Sequence, residues 1–244
     1  MPRQAYENEL QRLKEELLKM GGLVEEMIAL AIRSIADRDP EMARQVIRMD
    51  DLIDQMDRRI EERCMRLLAL QQPLARDLRL VGGILKVVTD LERMADYAVN
   101  IAELTLRIVQ DPLIKPLIDI PKMAEMAQEM TRRSLDSLVS QDVKIAEEVC
   151  LADDPVDELY SALFDELIGF VLQGGDARRA SQAINLIFVA RYLERIADHA
   201  TNIAERVIYI VTGERVAHQL KGRRSAGEAA PTQSAPTPGG AKSS

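Results

Sequence analysis

The sequence predicts an all-α protein built as two tandem three-helix bundles, and three observations predict it. The 244 residues are poor in aromatics and hold no Trp, while Leu, Ile, Val, Ala and Met carry the apolar content and Glu, Arg and Lys much of the polar. That mixture suits packed helices better than sheets. Apolar positions recur at the helical period over long stretches. Two segments are also near copies: LERMADYAVNIAE at 91–103 and LERIADHATNIAE at 193–205, at a fixed offset (194 − 92 = 102 and 205 − 103 = 102). A constant offset over about half the chain marks an internal duplication.

The first helix is expected over 5–38, with Leu10, Leu13, Leu17, Val24, Met27, Ala31 and Ile35 on its apolar stripe and Gly21-Gly22 as an interruption that can bend it. Asp39 then Pro40 stops one helix and starts the next, Asp as N-cap and Pro in the first helical position. The second helix runs to about Leu70, with room for a break at Asp50-Asp51. Gln71-Gln72-Pro73 turns the chain into a third helix from about Arg76 to Gln110. The segment DPLIKPLIDIP at 111–121 carries three prolines and reads as the linker between halves.

The plan then repeats. A helix covers about 122–140, and Asp142 caps the next. Asp153-Asp154-Pro155 breaks that helix and restarts it, with Asp154 expected as the new N-cap and Pro155 in first place, and the helix continues to Gln173. Gly174-Gly175 makes the turn, and a last helix spans about 177–212. The expected domains are therefore residues 1–112, residues 113–220, and a small, polar, Pro/Gly-rich tail over 221–244 that is expected to be disordered.

What is duplicated is a pattern of charge. At about 100° per residue, Glu92, Asp96, Asn100 and Glu103 share one arc of a helix, beside a packing stripe of Leu91, Ala95, Ala98 and Ala102. Glu194, Asp198, Asn202 and Glu205 repeat it. Acidic pairs of the same spacing stand on the preceding helices at Asp50/Asp54 and Asp153/Asp157. Like charges at i, i+4 cost a helix about 0.2–0.5 kcal/mol, so a sequence that keeps four such pairs points to a cation. Helices joined by a short turn pack antiparallel, which sets residues equidistant from the turn level with one another. Asp54 and Glu92 each lie 19 residues from Pro73, and Asp50 and Asp96 each 23. Asp157 with Glu194, and Asp153 with Asp198, likewise share one midpoint, which falls at the end of the Gly174-Gly175 turn, between Gly175 and Asp176.

Asp50, Asp54, Glu92, Asp96, Asp153, Asp157, Glu194 and Asp198 are thus the candidate metal ligands, four to each bundle. Such oxygen-rich sites suit divalent or trivalent ions such as Mg, Mn, Fe or Zn. The plainer reading is solvated helix surface, with Arg93 and Arg195 pairing Asp96 and Asp198 at i+3. His199 replaces Tyr97 of the first copy and reads as a partly buried residue rather than a ligand; His218 is assigned nothing. Asn100 and Asn202 are read as interhelical hydrogen-bonding groups or outer ligands.

The net charge of −8 argues against a nucleic-acid groove. No signal-like apolar run opens the sequence and no stretch of about 18 apolar residues is present, so a cytoplasmic protein is expected, with Cys64 and Cys150 as reduced, buried thiols. An enzyme is not expected. A ferritin-like di-iron bundle needs Glu-x-x-His, whereas Ala95 follows Glu92 and Ala197 follows Glu194 at that spacing. A metal-free helical scaffold stands as the other alternative.

The Gln72-Pro73-x-Ala75-x-Asp77-Leu78-Arg79 element, the duplicated LER-x-AD-x-A-x-NIAE and four Glu/Asp-x-x-x-Asp pairs resemble the PhoU family of phosphate-signalling and phosphate-transport accessory proteins over roughly residues 5–215. The resemblance implies two three-helix bundles related by a pseudo-twofold axis, with multinuclear metal sites on their surfaces. It also implies a cytoplasmic regulator, often a homodimer, that contacts a phosphate ABC transporter and a sensor histidine kinase. The second half departs from the family pattern, with Asp176-Ala177-Arg178-Arg179-Ala180-Ser181 where the first has the Pro-x-Ala-x-Asp-Leu-Arg element. That departure implies sites of unequal affinity or unequal partner contact.

Overall fold

A computed structural model describes residues 3–173 and 176–214 of the chain. Its elements are α1 (Arg3–Ala36), α2 (Pro40–Gln71), α3 (Ala75–Ile108), α4 (Asp119–Ser140), α5 (Val143–Leu151), α6 (Asp153–Leu172) and α7 (Ala177–Thr212). Helices α1, α2 and α3 pack on one another as the first bundle; α4, the α5–α6 pair and α7 form the second. The expected tail, His218 and the Gly174-Gly175 turn lie outside the described residues.

The turn that opens the second helical stretch of each repeat is built twice from the same parts. Arg38 (φ 55°) and Gln141 (φ 57°) take the left-handed conformation. The aspartates that follow are extended, and each caps a helix. Asp39 accepts from the amides of Glu41 and Met42, and Asp142 from those of Lys144 and Ile145. Satisfying otherwise orphaned N–H groups in this way is the standard office of an N-cap aspartate.

Past this turn the repeats diverge. Helix α2 runs without a break through Asp50-Asp51, whereas its counterpart is divided at Ala152. Pro155 is the reason: it stands where the first repeat has Leu52, and its ring and missing N–H are incompatible with an unbroken ladder to Leu151. Asp154 is not the N-cap that sequence reasoning placed there. Ala152 caps α6 in a helical conformation with no side-chain cap bond, and its amide bonds back to Glu148 and Val149. The chain swerves for a single residue and never reaches the extended geometry an Asp cap requires. Pro155 therefore sits third in α6, where an absent N–H still costs nothing.

Helix α1 likewise continues through Gly21-Gly22. Gly21 serves a close approach: a Cβ there would lie 2.1 Å from Cδ1 of Leu135 on α4, while one on Gly22 would meet nothing. The glycine seats α4 against α1, and Gly83 receives Ile210 of α7 in the same way, at 2.4 Å. Together these contacts close the two bundles on each other along α1–α4 and α3–α7, and the buried apolar residues form one cluster through both. Cys64 and Cys150 are both buried thiols, and burial pushes Cys64 up to about 12.

Helices α3 and α7 cross antiparallel in a constant register: Tyr97 faces Tyr192, Asp90 faces His199, and Arg79 faces Ile210. Asp90 and Tyr192 occupy equivalent positions of the two copies, as do Tyr97 and His199. The same crossing contact is therefore made twice about a pseudo-twofold axis, with different chemistry on its two sides. Gln182 fixes the linker to this joint, its amide oxygen accepting from Ile114 N at 2.6 Å and its nitrogen donating to Pro112 O at 3.1 Å.

Candidate functional site

The antiparallel packing of α2 on α3 brings the first set of carboxylates to one groove. Asp96 on α3 acts on Asp50 of α2, and Asp54 and Asp57 of α2 act on Glu92 of α3. Asp50 and Asp96 lie within range of each other's charge, as do Asp54 and Glu92, but Asp57 acts on Glu92 more strongly than Asp54 does. Asp50 and Glu92 are held above the ordinary carboxylate range, first by burial and then by the neighbouring negative charges. Asp57 is raised as well, by burial, Glu61 and Asp54. The acidic stripe on α2 is thus longer than the two residues singled out in the sequence: Asp50, Asp54, Asp57 and Glu61 follow one another at helical spacing.

In the second bundle Asp157 of α6 acts on Glu194 of α7, and Asp198 acts on it along the helix. Glu194 is 9% exposed. Burial and these charges raise its carboxyl, against Arg191 and Arg195, which lower it. Its Oε2 is buried without a hydrogen bond. Asp153 lies at the break between α5 and α6, on the same side of the sequence pattern as Asp50.

The arginines weighed in the sequence do take up the predicted pairs. Arg93 Nη1 lies 2.9 Å from Asp96 Oδ2, and Arg195 Nη1 lies 2.9 Å from Asp198 Oδ2. With the side chains so placed, no three acidic, His or Cys groups among the described residues converge closely enough to hold a metal ion. The donor chemistry, as distinct from the arrangement, is nonetheless the kind a hard cation takes. All of it is carboxylate oxygen, it is drawn from two facing helices, and like charge already strains it in both bundles. Holding an ion there requires Asp96 and Asp198 to exchange their guanidinium partners for it. Asn100 and Asn202 make no side-chain hydrogen bond among the described residues, contrary to the interhelical role expected of them.

Sequence reasoning missed a second polar cluster. Asp90, 6% exposed, sits between the bundles on α3. It accepts from Arg206 Nε at 3.2 Å and pairs with His199 Nδ1 at 2.9 Å, both on α7. His199 is partly buried, as expected, but it is a partner of Asp90 rather than an idle replacement for Tyr97. The signal was available: Asp90 precedes the duplicated segment by one residue, yet its counterpart is Tyr192, so a search for repeated carboxylates passes over it.

The fold and groove define a class: an all-helical protein of two duplicated bundles, each carrying acidic stripes from two facing helices. The family model described as PhoU domain matches the chain twice, over residues 17–105 and 120–207. The chain belongs to the PhoU family. A phosphate-specific transport system accessory protein PhoU homolog of Aquifex aeolicus is 46% identical over 211 residues, which is 86% of this chain and 95% of that protein. The crystal structure of PhoU from Pseudomonas aeruginosa matches with a TM-score of 0.81 at 38% identity, covering 86% of this chain and 100% of that one. That of the phosphate transport system regulatory protein PhoU from Streptococcus pneumoniae matches at 0.80 and 32% identity, covering 86% of this chain and 99% of that one.

Proposed function

We propose that this chain is a non-enzymatic accessory protein of phosphate uptake. It acts in the cytoplasm, as a homodimer, as an adaptor between a phosphate ABC transporter and its sensor histidine kinase. The observation that carries the phosphate role is the double PhoU-domain match together with relatives named as phosphate-specific transport system accessory proteins over nearly their whole length. No helix among the described residues is long and apolar enough to cross a membrane, which suits a partner that docks on a transporter rather than spanning the bilayer beside it. Deleting the gene in its host and assaying phosphate-repressed alkaline phosphatase tests the role. Loss of repression in rich phosphate is expected; unchanged repression overturns it.

The grooves are, on this reading, sites for divalent or trivalent cations such as Mg, Mn, Fe or Zn, held by Asp50, Asp54, Glu92 and Asp96 in one bundle and Asp153, Asp157, Glu194 and Asp198 in the other. The support is the strain already in the carboxylates, which a bound cation would relieve. Changing Asp50, Asp54, Glu92 and Asp96 together to Asn and Gln is expected to lower the metal content of the purified protein by about half. A metal-free scaffold is the second reading, favoured by the Arg93–Asp96 and Arg195–Asp198 pairs. Absence of metal from the unaltered purified protein would select it, whereas equal metal content in the quadruple variant and the unaltered protein would show that the first site lies elsewhere.

A further inference from the structure

The edge of α2 that faces α1 carries the opposite charge to its acidic stripe. Arg59, Arg63 and Arg66 follow one another at i, i+4 and i+7 along that edge, and Arg12 of α1 stands across from them. These arginines line an open cleft of about 770 Å³ between the early turns of α1 and the last turns of α2, with Met65 and Leu70 also in its wall. Arg12 and Arg63 are neutralised within the molecule. Arg12 Nη1 lies 2.6 Å from Glu9 Oε1, and Arg63 lies 3.4 Å from Glu9 Oε2 and 3.2 Å from Glu16 Oε2. Arg59 and Arg66 are exposed and make no ion pair among the described residues. Glu61 and Glu62 also line the cleft, and neither pairs with these arginines.

The cleft is apolar as well as basic. Met65 and Leu70 are largely exposed, and the same hairpin end continues into exposed Leu74 and Leu78. From Arg63 to Arg79 the chain carries four arginines and a single acid, Asp77, in a molecule whose net charge is −8. The duplication supplies a control. At the offset of 103 residues that relates Asp39 to Asp142, buried Ile60 and Cys64 correspond to buried Leu163 and Leu167, so the core positions are kept. Arg59, Arg63 and Arg66 correspond to Ala162, Glu166 and Gly169. The second bundle folds without an arginine edge, and like charges at this spacing oppose one another. The edge is not a requirement of the fold.

We propose that this cleft is the docking surface for an acidic amphipathic helix on the cytoplasmic side of the phosphate transporter. This rests on the adaptor reading given above and assigns it a surface. Charge and spacing select the occupant. Arg59 and Arg66 stand two turns apart, about 10 Å along the axis. That separation suits carboxylates two turns apart on a facing helix better than one compact anion. Guanidinium forks match carboxylates in shape and charge, and Met65 and Leu70 receive the apolar stripe between them. The transporter is the source because the relatives are named for a transport system.

Titrating purified full-length protein against its own host's phosphate transporter in nanodiscs, by biolayer interferometry, tests the surface. The parent protein is expected to bind, with an affinity that falls about tenfold between about 50 and 300 mM NaCl. Arg59→Glu with Arg66→Glu is expected to weaken binding by about tenfold or more. Arg59→Lys with Arg66→Lys, which keeps the charge and loses the fork, should stay within about threefold of the parent. Met65→Ser with Leu70→Ser should weaken binding without changing its salt dependence. Arg178→Glu with Arg179→Glu makes the same charge change at the other hairpin end and should keep the parental affinity. Parental binding by the Arg59 and Arg66 reversal, or an equal loss from the Arg178 and Arg179 reversal, overturns the docking site while the adaptor reading stands. Equal binding to empty nanodiscs of the same lipids also overturns it, the cleft then being a lipid contact. No binding of the parent protein to the transporter overturns both.

Discussion

The joint between the bundles holds the same contact twice, and the two copies have opposite chemistry. On one side of the α3–α7 crossing, Tyr97 stacks on Tyr192 with centroids 5.7 Å apart and 23° between the planes. On the other, at the equivalent positions, buried Asp90 binds His199 and Arg206. Register fixes which positions meet at this crossing, and the meeting pair changes from ring stack to ion pair while the register stays the same.

The largest effect that can separate the two sides is loss of the buried charge. Asp90→Ala leaves Arg206 and His199 without their acceptor and is expected to cost about 2–3 kcal/mol in denaturant unfolding. A change below about 0.5 kcal/mol would show that this side contributes no more than an exposed ion pair. Next comes the other joint, along α1–α4. Gly21→Ala is expected to cost about 1–2 kcal/mol, because Leu135 is buried and must shift. Gly22→Ala, with open space before it, should instead stabilise by about 0.5–1 kcal/mol through helix propensity. Equal effects from the two would show that the notch at Gly21 is not needed.

The aromatic side should be milder. Tyr97→Leu is expected to cost about 1 kcal/mol, chiefly the stacking term. A loss as large as that of Asp90→Ala would mean the two sides carry the joint equally. The smallest effect belongs to the acidic groove. Asp50 and Glu92 are raised by burial and like charge, so the folded chain binds protons more tightly than the unfolded one. Their ionisation therefore costs stability at neutral pH, and that cost disappears as pH falls through their raised range toward the ordinary carboxylate value. Asp50→Asn with Glu92→Gln should gain about 0.5 kcal/mol at neutral pH in metal-free protein. The gain should shrink steadily on acidification, as thermal melts across that window would show.

Much of this was legible in the residues. Asp39 and Asp142 announced their caps, and the distances to Pro73 gave the height of each carboxylate along the hairpin. Periodicity was enough because those features are local or follow from rise per residue. The N-cap of α6 was misplaced because Asp154-Pro155 carries the same signal as Asp39-Pro40, and only the preceding backbone decides which one leaves the helix. Rotation about the helix axis was also beyond reach. It decides that Arg191 lies over Tyr160, that Asp57 joins the groove, and that Asp90 turns toward the other bundle rather than toward solvent. The duplication itself hid these residues: a repeat directs attention to what the copies share, whereas Asp90, Asp57 and Arg191 are positions where they differ.

Arg79 ties the opening turns of α3 to the far end of α7, its Nε donating to Ile210 O at 3.1 Å beside left-handed Gly213. The last turns of α7 are thereby held to the opening turns of α3 in the opposite repeat, so neither helix end can fray without breaking that bond.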